Sequence, residues 1–411
     1  MPVPDELSST RRHFLAITEA QQYPLYMRSV HVKIRESLSR ECLLMGLMAF
    51  SLFVGGSQTL RGDDTGDATA NGKGRTHVLL AVGDIMLSGS AAPFLKTRGY
   101  DHPFKDRSLQ RLITSSDVSF ANLEYPVTRS GVRFVTKTYT YRGEPGSLDA
   151  IQRAGFNLLS LANNHIMDYG DQGLMATIRG CRQKKMVYAG AGSNLGFAGK
   201  LRKIEKRGVH YGLLAYSHTF PEEFWAKPDS SGTAHLDRES LRQDIMHARG
   251  EVDILLVSFH WGEELKTAPK PYQVDLAHLA VGAGADVVLG HHPHVPQPIE
   301  IYRGKPIFYS LGNYAFGTFS DNVSFSFVAE VLFQGNTPVR VNVYPINVCN
   351  REVMFRPRLA TGKLAQNIVA HLQGISEPFG TRIGFQKGVG RIFIDHDRDE
   401  PLGGSSNDGA P

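Results

Sequence analysis

The chain has 411 residues, a formal net charge of +5, and 41% hydrophobic and 21% charged residues. These fractions exclude disorder throughout, and the length allows one large α/β domain with extensions or two ordinary domains. No Lys/Arg-rich run or basic–aromatic stripe accompanies the positive charge, so we expect no nucleic-acid partner. Three cysteines (Cys42, Cys181 and Cys349) lack CxxC spacing and predict neither a disulfide framework nor a zinc site.

Residues 1–76 precede the folded part of the chain and carry a candidate export signal. Residues 43–55, LLMGLMAFSLFVG, form an uninterrupted apolar run. The run is shorter than the roughly 20 residues of a membrane-spanning helix, but it matches the apolar region of a signal peptide. Three basic residues precede it, namely Lys33, Arg35 and Arg40.

This run lies far from the N-terminus for a signal peptide, and a start at Met27 restores a basic region of normal length. A buried core helix is the alternative on length alone. We expect a signal peptide or membrane anchor, and hence a location outside the cytoplasm: periplasmic, secreted or attached to the outer face of the cytoplasmic membrane. The polar, glycine-rich residues 63–75 then predict a linker.

The main domain is expected over residues 77–350. Three apolar runs in its first half end in polar side chains: residues 77–83 in Asp84, 117–122 in Glu124, and 156–161 in Asn163, Asn164 and His165. Such runs, bounded by turn signals, are typical of strands buried on both faces. Helices are predicted over residues 107–114, 147–154 and 172–184. Asp168 precedes the third of these, and helix N-capping is its preferred interpretation.

The second half of the domain repeats this pattern. Residues 252–259 lead to His260, and residues 287–289 lead through Gly290 to three histidines, His291, His292 and His294. Trp261 is predicted to be a packing residue whose N–H is bonded locally. Residues 203–205 and 209–216 predict a hairpin, helices are predicted over 237–249 and 271–284, and residues 217–235 form a candidate lid or wall.

The C-terminal part of the chain has a different hydrophobic pattern from the runs before it. Alternating apolar and polar residues over 324–348 predict an antiparallel strand pair at the sheet edge. Residues 351–396 are expected to contribute a helix and a strand that pack on the domain. Residues 397–411 predict a disordered tail.

The strand ends together predict a metal centre. In open α/β sheets, ligands bind outside the carboxyl ends of the strands, and here one edge would collect carboxylate, amide and imidazole groups. This mixed set suits manganese, iron or zinc better than calcium. Because the candidates exceed one tetrahedral shell, they favour two metals about 3.5–4 Å apart that share a carboxylate. We therefore expect one or two divalent transition metals.

The ordered set of motifs resembles one family. The motifs are Gly83-Asp84-Ile85-Met86-Leu87, Asn122-Leu123-Glu124, Ala162-Asn163-Asn164-His165, His260-Trp261-Gly262, His292-Pro293-His294 and Ser310-Leu311-Gly312-Asn313. This set is similar to the CapA family, bacterial capsule-synthesis proteins linked to poly-γ-glutamate. The resemblance implies a calcineurin-like metallophosphatase fold: a layered α/β sandwich with mostly parallel buried strands, helices outside and an antiparallel edge.

The resemblance also implies residue roles. One metal would be held by Asp84, Glu124 and His294. The second would be held by Glu124, Asn164, His260 and His292. His165 would act as the general acid. The remaining amides of the motifs are assigned to substrate binding, namely Asn122, Asn163 and Asn313.

One position departs from the metallophosphoesterase pattern. Met86 stands where the first motif usually has a histidine, and a thioether is a poor ligand for a hard divalent ion. Single-metal occupancy, or loss of hydrolytic activity, is therefore an open alternative. His291 has no role in the family pattern, and we expect it to be exposed and not a ligand.

Two function classes follow from the resemblance. In the first, the chain is an exported metal-dependent hydrolase or transferase acting on an anionic polymer (polyglutamate) or a phosphoester. In the second, it is a non-catalytic component of exopolymer assembly or export with a vestigial metal site. Either class implies envelope exopolymer-synthesis proteins as partners and membrane contact through the N-terminal segment. Fold analogy alone does not choose between them.

Overall fold

The computed structural model describes residues 76–395. The predicted signal segment, linker and tail lie outside the described residues. Within residues 76–395, every helix is too short or too polar to cross a membrane. The predicted N-terminal boundary of the domain falls at the first strand, which begins at Thr76.

Most strands follow the apolar runs predicted from the sequence. Their bounds are β1 Thr76–Met86, β2 Val118–Leu123, β3 Leu158–Ser160, β4 Val187–Ala189, β5 Ala191–Gly192, β6 Arg202–Lys206, β7 Val209–Ser217, β8 Gly232–Thr233, β9 Ile254–His260, β10 Val287–His291, β11 Ile299–Tyr302, β12 Lys305–Phe308, β13 Asn313–Phe316, β14 Phe325–Gln334, β15 Thr337–Asn347, β16 Arg358–Leu359, β17 Gly384–Gln386 and β18 Val389–Phe393.

The helices start at local signals in the sequence. Their bounds are α1 Ala91–Arg98, α2 Arg107–Ser115, α3 Pro145–Ala154, α4 Gly170–Gln183, α5 Leu195–Ala198, α6 Arg238–Arg249, α7 Pro271–Ala283, α8 Asn350–Val353 and α9 Gly362–Ser376. The Asp106 carboxylate accepts hydrogen bonds from two backbone N–H groups of α2, and Asp237 does the same for α6. Such caps satisfy donors that have no partner inside the helix. Proline stands at the start of α3 and α7, where its missing N–H costs nothing.

Two sheets form the centre of the described domain. Ten of the described strands make a mixed sheet in the order β17-β18-β15-β14-β1-β2-β3-β4, with β13 parallel to β1 and β16 beside β15. Six make a second sheet in the order β11-β12-β10-β9-β7-β6. Strands β1 to β4 run parallel, as do β7, β9, β10 and β12.

The sheets pack face to face, and this explains the continuous apolar runs. Alternate residues of β1 point to opposite faces. Leu79 and Ala81 join the apolar cluster between the sheets, together with Leu256 of β9. Leu80 instead joins the cluster formed with α3 and α4, and a third cluster holds α6 and α7 against the second sheet, around Val257. The predicted layered α/β sandwich is confirmed.

Two details of the predicted arrangement are wrong. The five ligand-bearing strands were expected in one sheet, but β1, β2 and β3 lie in the large sheet whereas β9 and β10 lie in the second. The antiparallel pair β14–β15 was expected at the sheet edge, but it lies inside the large sheet, between β1 and β18. The apolar pattern could not distinguish these cases because strands of both sheets are buried on two faces.

Candidate metal centre

The polar strand ends of both sheets meet at one place. The Asp84 carboxylate, near the end of β1, accepts a hydrogen bond from Asn122 of β2 across 2.8 Å, and its Oδ1 lies 3.0 Å from Nδ1 of His291 in β10. The His260 ring, at the end of β9, has its Nε2 3.0 Å from Oδ1 of Asn164, which follows β3. The predicted convergence therefore occurs across the gap between two sheets instead of along one edge.

Glycines allow this close approach. A Cβ atom on Gly83 would lie 1.8 Å from the carbonyl oxygen of Gly312, and one on Gly290 would lie 2.0 Å from that of Tyr309. Both distances are far inside van der Waals contact. The glycine directly before Asp84 and the glycine before the three histidines are thus required by the crossing backbone.

The histidine loop after β10 has an unusual backbone. His292 has φ 95° and His294 has φ 60°, both in the left-handed region that residues with a Cβ rarely adopt. Such conformations cost about 1–3 kcal/mol each and persist where the surroundings determine them. The loop turns both imidazoles into the site, where each residue is only 8% exposed.

The predicted ligands form overlapping groups of three. Potential ligand atoms lie within 4.8 Å of one another in each group, and the groups are Asp84–Glu124–His294, Glu124–His260–His292 and Glu264–His292–His294. The first two match the division between two metals that the family resemblance implies. Asn164 extends the second through its contact with His260. Of these residues, the sequence-based interpretation did not include Glu264.

The pKa values of the two carboxylates at the centre, Asp84 and Glu124, are shifted in opposite directions. Burial and the negative charge of Asp84 raise the pKa of Glu124 well above its ordinary value. Burial also acts to raise the pKa of Asp84, but hydrogen bonds from His291 and His294 outweigh it and hold that pKa well below the ordinary value. Two fully buried carboxylates side by side call for a positive charge between them.

Several buried polar atoms have no hydrogen-bond partner among the described residues. They include Oε1 of Glu124 and Nδ1 of His292. The Glu124 atom lies 3.5 Å from Nε2 of His260 and 3.8 Å from Nε2 of His294. Burial lowers the pKa of His292 to about 3 and that of His260 well below its ordinary value, so both rings are neutral near pH 7. Neutral imidazoles around an unpartnered buried carboxylate fit a divalent cation.

The three asparagines predicted to bind substrate are buried. Asn122 donates from Nδ2 to Asp84 and Glu124, and its Oδ1 accepts from Asn163. Asn163 accepts from the backbone N–H groups of His165 and Ile166. The amides of these two residues therefore hydrogen-bond to the candidate ligands and to the backbone of the loop that carries His165. Asn313 accepts from His294 at 2.9 Å, while its Nδ2 has no described partner.

His165 is held by a residue to which we assigned another role. Asp168 was predicted to cap the helix, but α4 starts at Gly170 with Tyr169 at its N-cap, so that prediction is wrong. The Asp168 carboxylate accepts from Nδ1 of His165 at 2.7 Å, from Nζ of Lys137 at 2.7 Å and from the Tyr141 backbone N–H at 2.7 Å. This contact fixes the imidazole and leaves its Nε2 for proton transfer.

Lys137 comes from a segment in which the sequence indicated no function. It lies in the irregular connection between β2 and α3, and its ammonium also contacts the Asn164 carbonyl and lies 3.1 Å from Nδ1 of His165. Burial lowers its pKa, although Asp168 acts in the opposite direction. The Phe224 ring packs under the ammonium at 5.1 Å, so residues 217–235 do form a wall beside the site.

His291 and Met86 lie differently from the residues around them. His291 was expected to be exposed, which is wrong: it is fully buried, packs against Phe120 and orients Asp84. Met86 is also fully buried and belongs to the apolar cluster on the helix side of the large sheet. Where the metallophosphoesterase pattern has a histidine ligand, this chain therefore has an apolar side chain that packs in the core. Trp261 is a packing residue, as predicted, and donates its N–H to the Tyr309 carbonyl at 2.9 Å.

The sequence of this domain matches a family model described as "Bacterial capsule synthesis protein PGA_cap" over residues 78–318. The match covers more than half of the chain and contains every predicted ligand. The chain belongs to this family. The predicted CapA relationship is thus confirmed.

Two relatives in this capsule-synthesis family show how far the similarity extends. The chain is 31% identical to the capsule biosynthesis protein CapA of Bacillus anthracis, over 65% of this chain and 66% of that protein. It is 33% identical to the PGA biosynthesis protein CapA of Bacillus subtilis, over 65% of this chain and 70% of that protein. A solved 5'-nucleotidase precursor from Thermus thermophilus gives a TM-score of 0.42 at 13% identity, over 73% of this chain and 60% of that one.

Proposed function

We propose that this capsule-synthesis family member is a metal-dependent hydrolase or transferase of exopolymer synthesis. The observation that carries the proposal is the buried Glu124 carboxylate, whose Oε1 has no described hydrogen-bond partner and faces the imidazoles of His260 and His294. A buried charge without a partner is costly, and a divalent cation relieves it. The nearby His165–Asp168 pair adds a proton-transfer group.

One or two ions of manganese, iron or zinc fit the donor set. Asp84, Glu124 and His294 would hold one, and Glu124, Asn164, His260 and His292 would hold the other. A bound divalent ion supplies Lewis acidity towards a phosphoryl or carbonyl oxygen. Asn122 and His291 keep the Asp84 carboxylate in a fixed orientation through Oδ1. Such outer hydrogen bonds typically contribute about 10–100-fold to metal affinity.

His165 is the general acid of the proposed reaction. Its Nδ1–H donates to Asp168, so Nε2 is the nitrogen that carries the exchangeable proton. The Tyr141 backbone N–H and the Lys137 ammonium also donate hydrogen bonds to the Asp168 carboxylate. These bonds fix the orientation of the carboxylate relative to His165. Protonated Nε2 then donates its proton to the leaving oxygen or nitrogen of the substrate.

The substrate is proposed to be an anionic polymer such as polyglutamate, or a phosphoester. Lys137 places a cationic group next to His165, and its burial strengthens attraction to a phosphate or carboxylate. The relatives named as capsule and PGA biosynthesis proteins support an anionic envelope polymer and exopolymer-synthesis partners.

Hydrolysis by the metal-loaded protein tests this proposal. We expect purified full-length protein to cleave either a generic phosphodiester or poly-γ-glutamate when Mn²⁺, Fe²⁺ or Zn²⁺ is supplied, and to stop when a chelator removes the ion. Release of p-nitrophenol and shortening of the polymer on gels measure the two reactions. A protein that binds metal but turns over neither substrate would contradict the proposed enzymatic function.

A second candidate is supported by Met86. This residue stands where the metallophosphoesterase pattern has a histidine, and its side chain is packed in the apolar core, so it adds no ligand to the first metal position. A non-catalytic component of polymer assembly or export, which keeps the fold and part of the site, is consistent with that loss. The same assays separate the two candidates, since this component binds metal without turnover.

We also propose that the domain acts outside the cytoplasmic membrane and is delivered there by residues 43–55, through which the chain contacts the membrane. The apolar run and the basic residues before it support export. A reporter that is active only after export, fused behind Arg75, is expected to be active. Deletion of residues 43–55 should trap the reporter inside the cell, whereas activity that survives this deletion would contradict the proposal.

A further inference from the structure

The first metal position lacks one ligand in this chain. Met86 occupies the place of the usual histidine, and its side chain is fully buried in the apolar cluster behind the large sheet. The predicted ligands then supply only Asp84, Glu124 and His294 to this position. Three protein ligands leave a six-coordinate ion such as Mn²⁺ dependent on water for half of its shell.

A carboxylate outside the predicted set lies beside His294, one of the ligands of this position. Glu264 lies in the loop after β9, and one of its oxygens is within 4.8 Å of ligand atoms of His292 and His294.

The backbone holds Glu264 in this position. The next residue, Leu265, donates its N–H to the Pro293 carbonyl at 2.9 Å, which ties the loop to the turn between His292 and His294. Gly262 begins the loop with φ 88°, and a Cβ atom there would meet the Gln273 side chain at 2.8 Å. The Gly262 N–H also donates to the Tyr272 hydroxyl at 2.7 Å. The loop is therefore fixed at both sides of Glu264.

The neighbouring glutamate has a different environment. Glu263 forms ion pairs with Lys270 at 2.9 Å and with Lys266 at 3.7 Å. None of the described hydrogen bonds or ion pairs involves the Glu264 carboxylate, although it is exposed beside two buried imidazoles. Glu263 thus belongs to a surface ion-pair network, whereas the carboxylate of Glu264 lies beside the histidines of the candidate metal centre.

We propose that Glu264 is a metal ligand at the mouth of the centre, where it acts with His292 and His294 and adds a donor to a centre that lacks the histidine replaced by Met86. The inference rests on the proposed metal-dependent function and extends it to this residue. A carboxylate added to two imidazoles suits manganese, iron or zinc. Because Glu264 is exposed, it would contact the ion from the solvent side of the centre.

Metal titration of Glu264→Gln tests the assignment. Full-length protein is stripped with a chelator, and Mn²⁺ binding is measured by calorimetry together with elemental analysis after dialysis. We expect the variant to lose one equivalent or to bind it at least about tenfold more weakly, since even outer partners of metal ligands contribute about 10–100-fold. Glu264→His, which keeps a donor without the charge, is expected to restore most of the affinity.

Glu263→Gln is the matched control, because it removes the same charge from the adjacent residue. Its Mn²⁺ binding is expected to equal that of the unaltered protein. Equal binding by Glu264→Gln and the unaltered protein would overturn this inference and leave the proposed function standing. Equal losses in Glu263→Gln and Glu264→Gln would also overturn it, since they indicate a general charge effect. An unaltered protein that binds no metal would overturn the proposed function itself.

Discussion

Replacement of His292 by alanine is expected to remove the metal held by Glu124, Asn164, His260 and His292. His292 is common to the Glu124–His260–His292 and Glu264–His292–His294 groups, and burial keeps its ring neutral near pH 7. Loss of the imidazole therefore removes a ligand and admits water to the buried carboxylates. Elemental analysis of the purified, dialysed variant measures the result, and we expect it to contain at least one equivalent of metal less than the unaltered protein.

His218→Ala provides the control for this loss. His218 is half-buried near the site, and its backbone N–H donates to the His260 carbonyl at 2.8 Å, but its ring belongs to none of the described ligand groups. This variant is expected to keep its metal. A His292→Ala protein that is folded by circular dichroism and retains full metal would refute the assignment of the ligands.

The second large effect is expected in turnover. His165→Ala should lower the rate of hydrolysis by about 10²–10⁴-fold, the usual contribution of a general acid or base, while metal content stays unchanged. The reason is that His165 lies in none of the described ligand groups and is hydrogen-bonded to Asp168 and close to Lys137. Steady-state kinetics at saturating metal and substrate measure the loss.

Asn164→Ala distinguishes proton transfer from metal loss. Its Oδ1 lies 3.0 Å from Nε2 of His260, so its removal is expected to weaken the second metal and to lower activity together with metal content. High metal concentration should restore part of the rate of this variant but none of the rate of His165→Ala. Unchanged turnover in metal-loaded His165→Ala would leave the assembly component as the better explanation of the fold.

The sequence predicted the elements and most of the centre because both depend on local pattern. Apolar runs that end in Asp84, Glu124, His260 and the His292–His294 pair identify strands and the side chains that follow them. Glycines before these residues mark places where backbone approaches closely, as Gly83 and Gly290 do. The order of the motifs was sufficient to predict the CapA relationship.

Only the tertiary structure decided how the strands are distributed. Two-sided burial produces the same apolar run in either sheet, so the sequence could not show that the centre lies between β1–β3 and β9–β10. It also could not show that His291 is buried behind Asp84. An isolated histidine next to a ligand pair has the same local signal whether it is exposed or packed.

The contacts of the proposed catalytic residue and of the candidate ligands were also decided by tertiary structure. Lys137 and Glu264 lie in irregular segments, where no periodicity marks their direction, and they reach the centre only because the chain folds back over it. Asp168 stands before a helix, where capping is the usual role of an aspartate, but the connection that carries Lys137 and Tyr141 draws its carboxylate towards His165 instead. Local sequence identified the candidate ligands of this protein, whereas long-range packing determined what orients them, because their partners lie far away in the chain or at positions without a pattern.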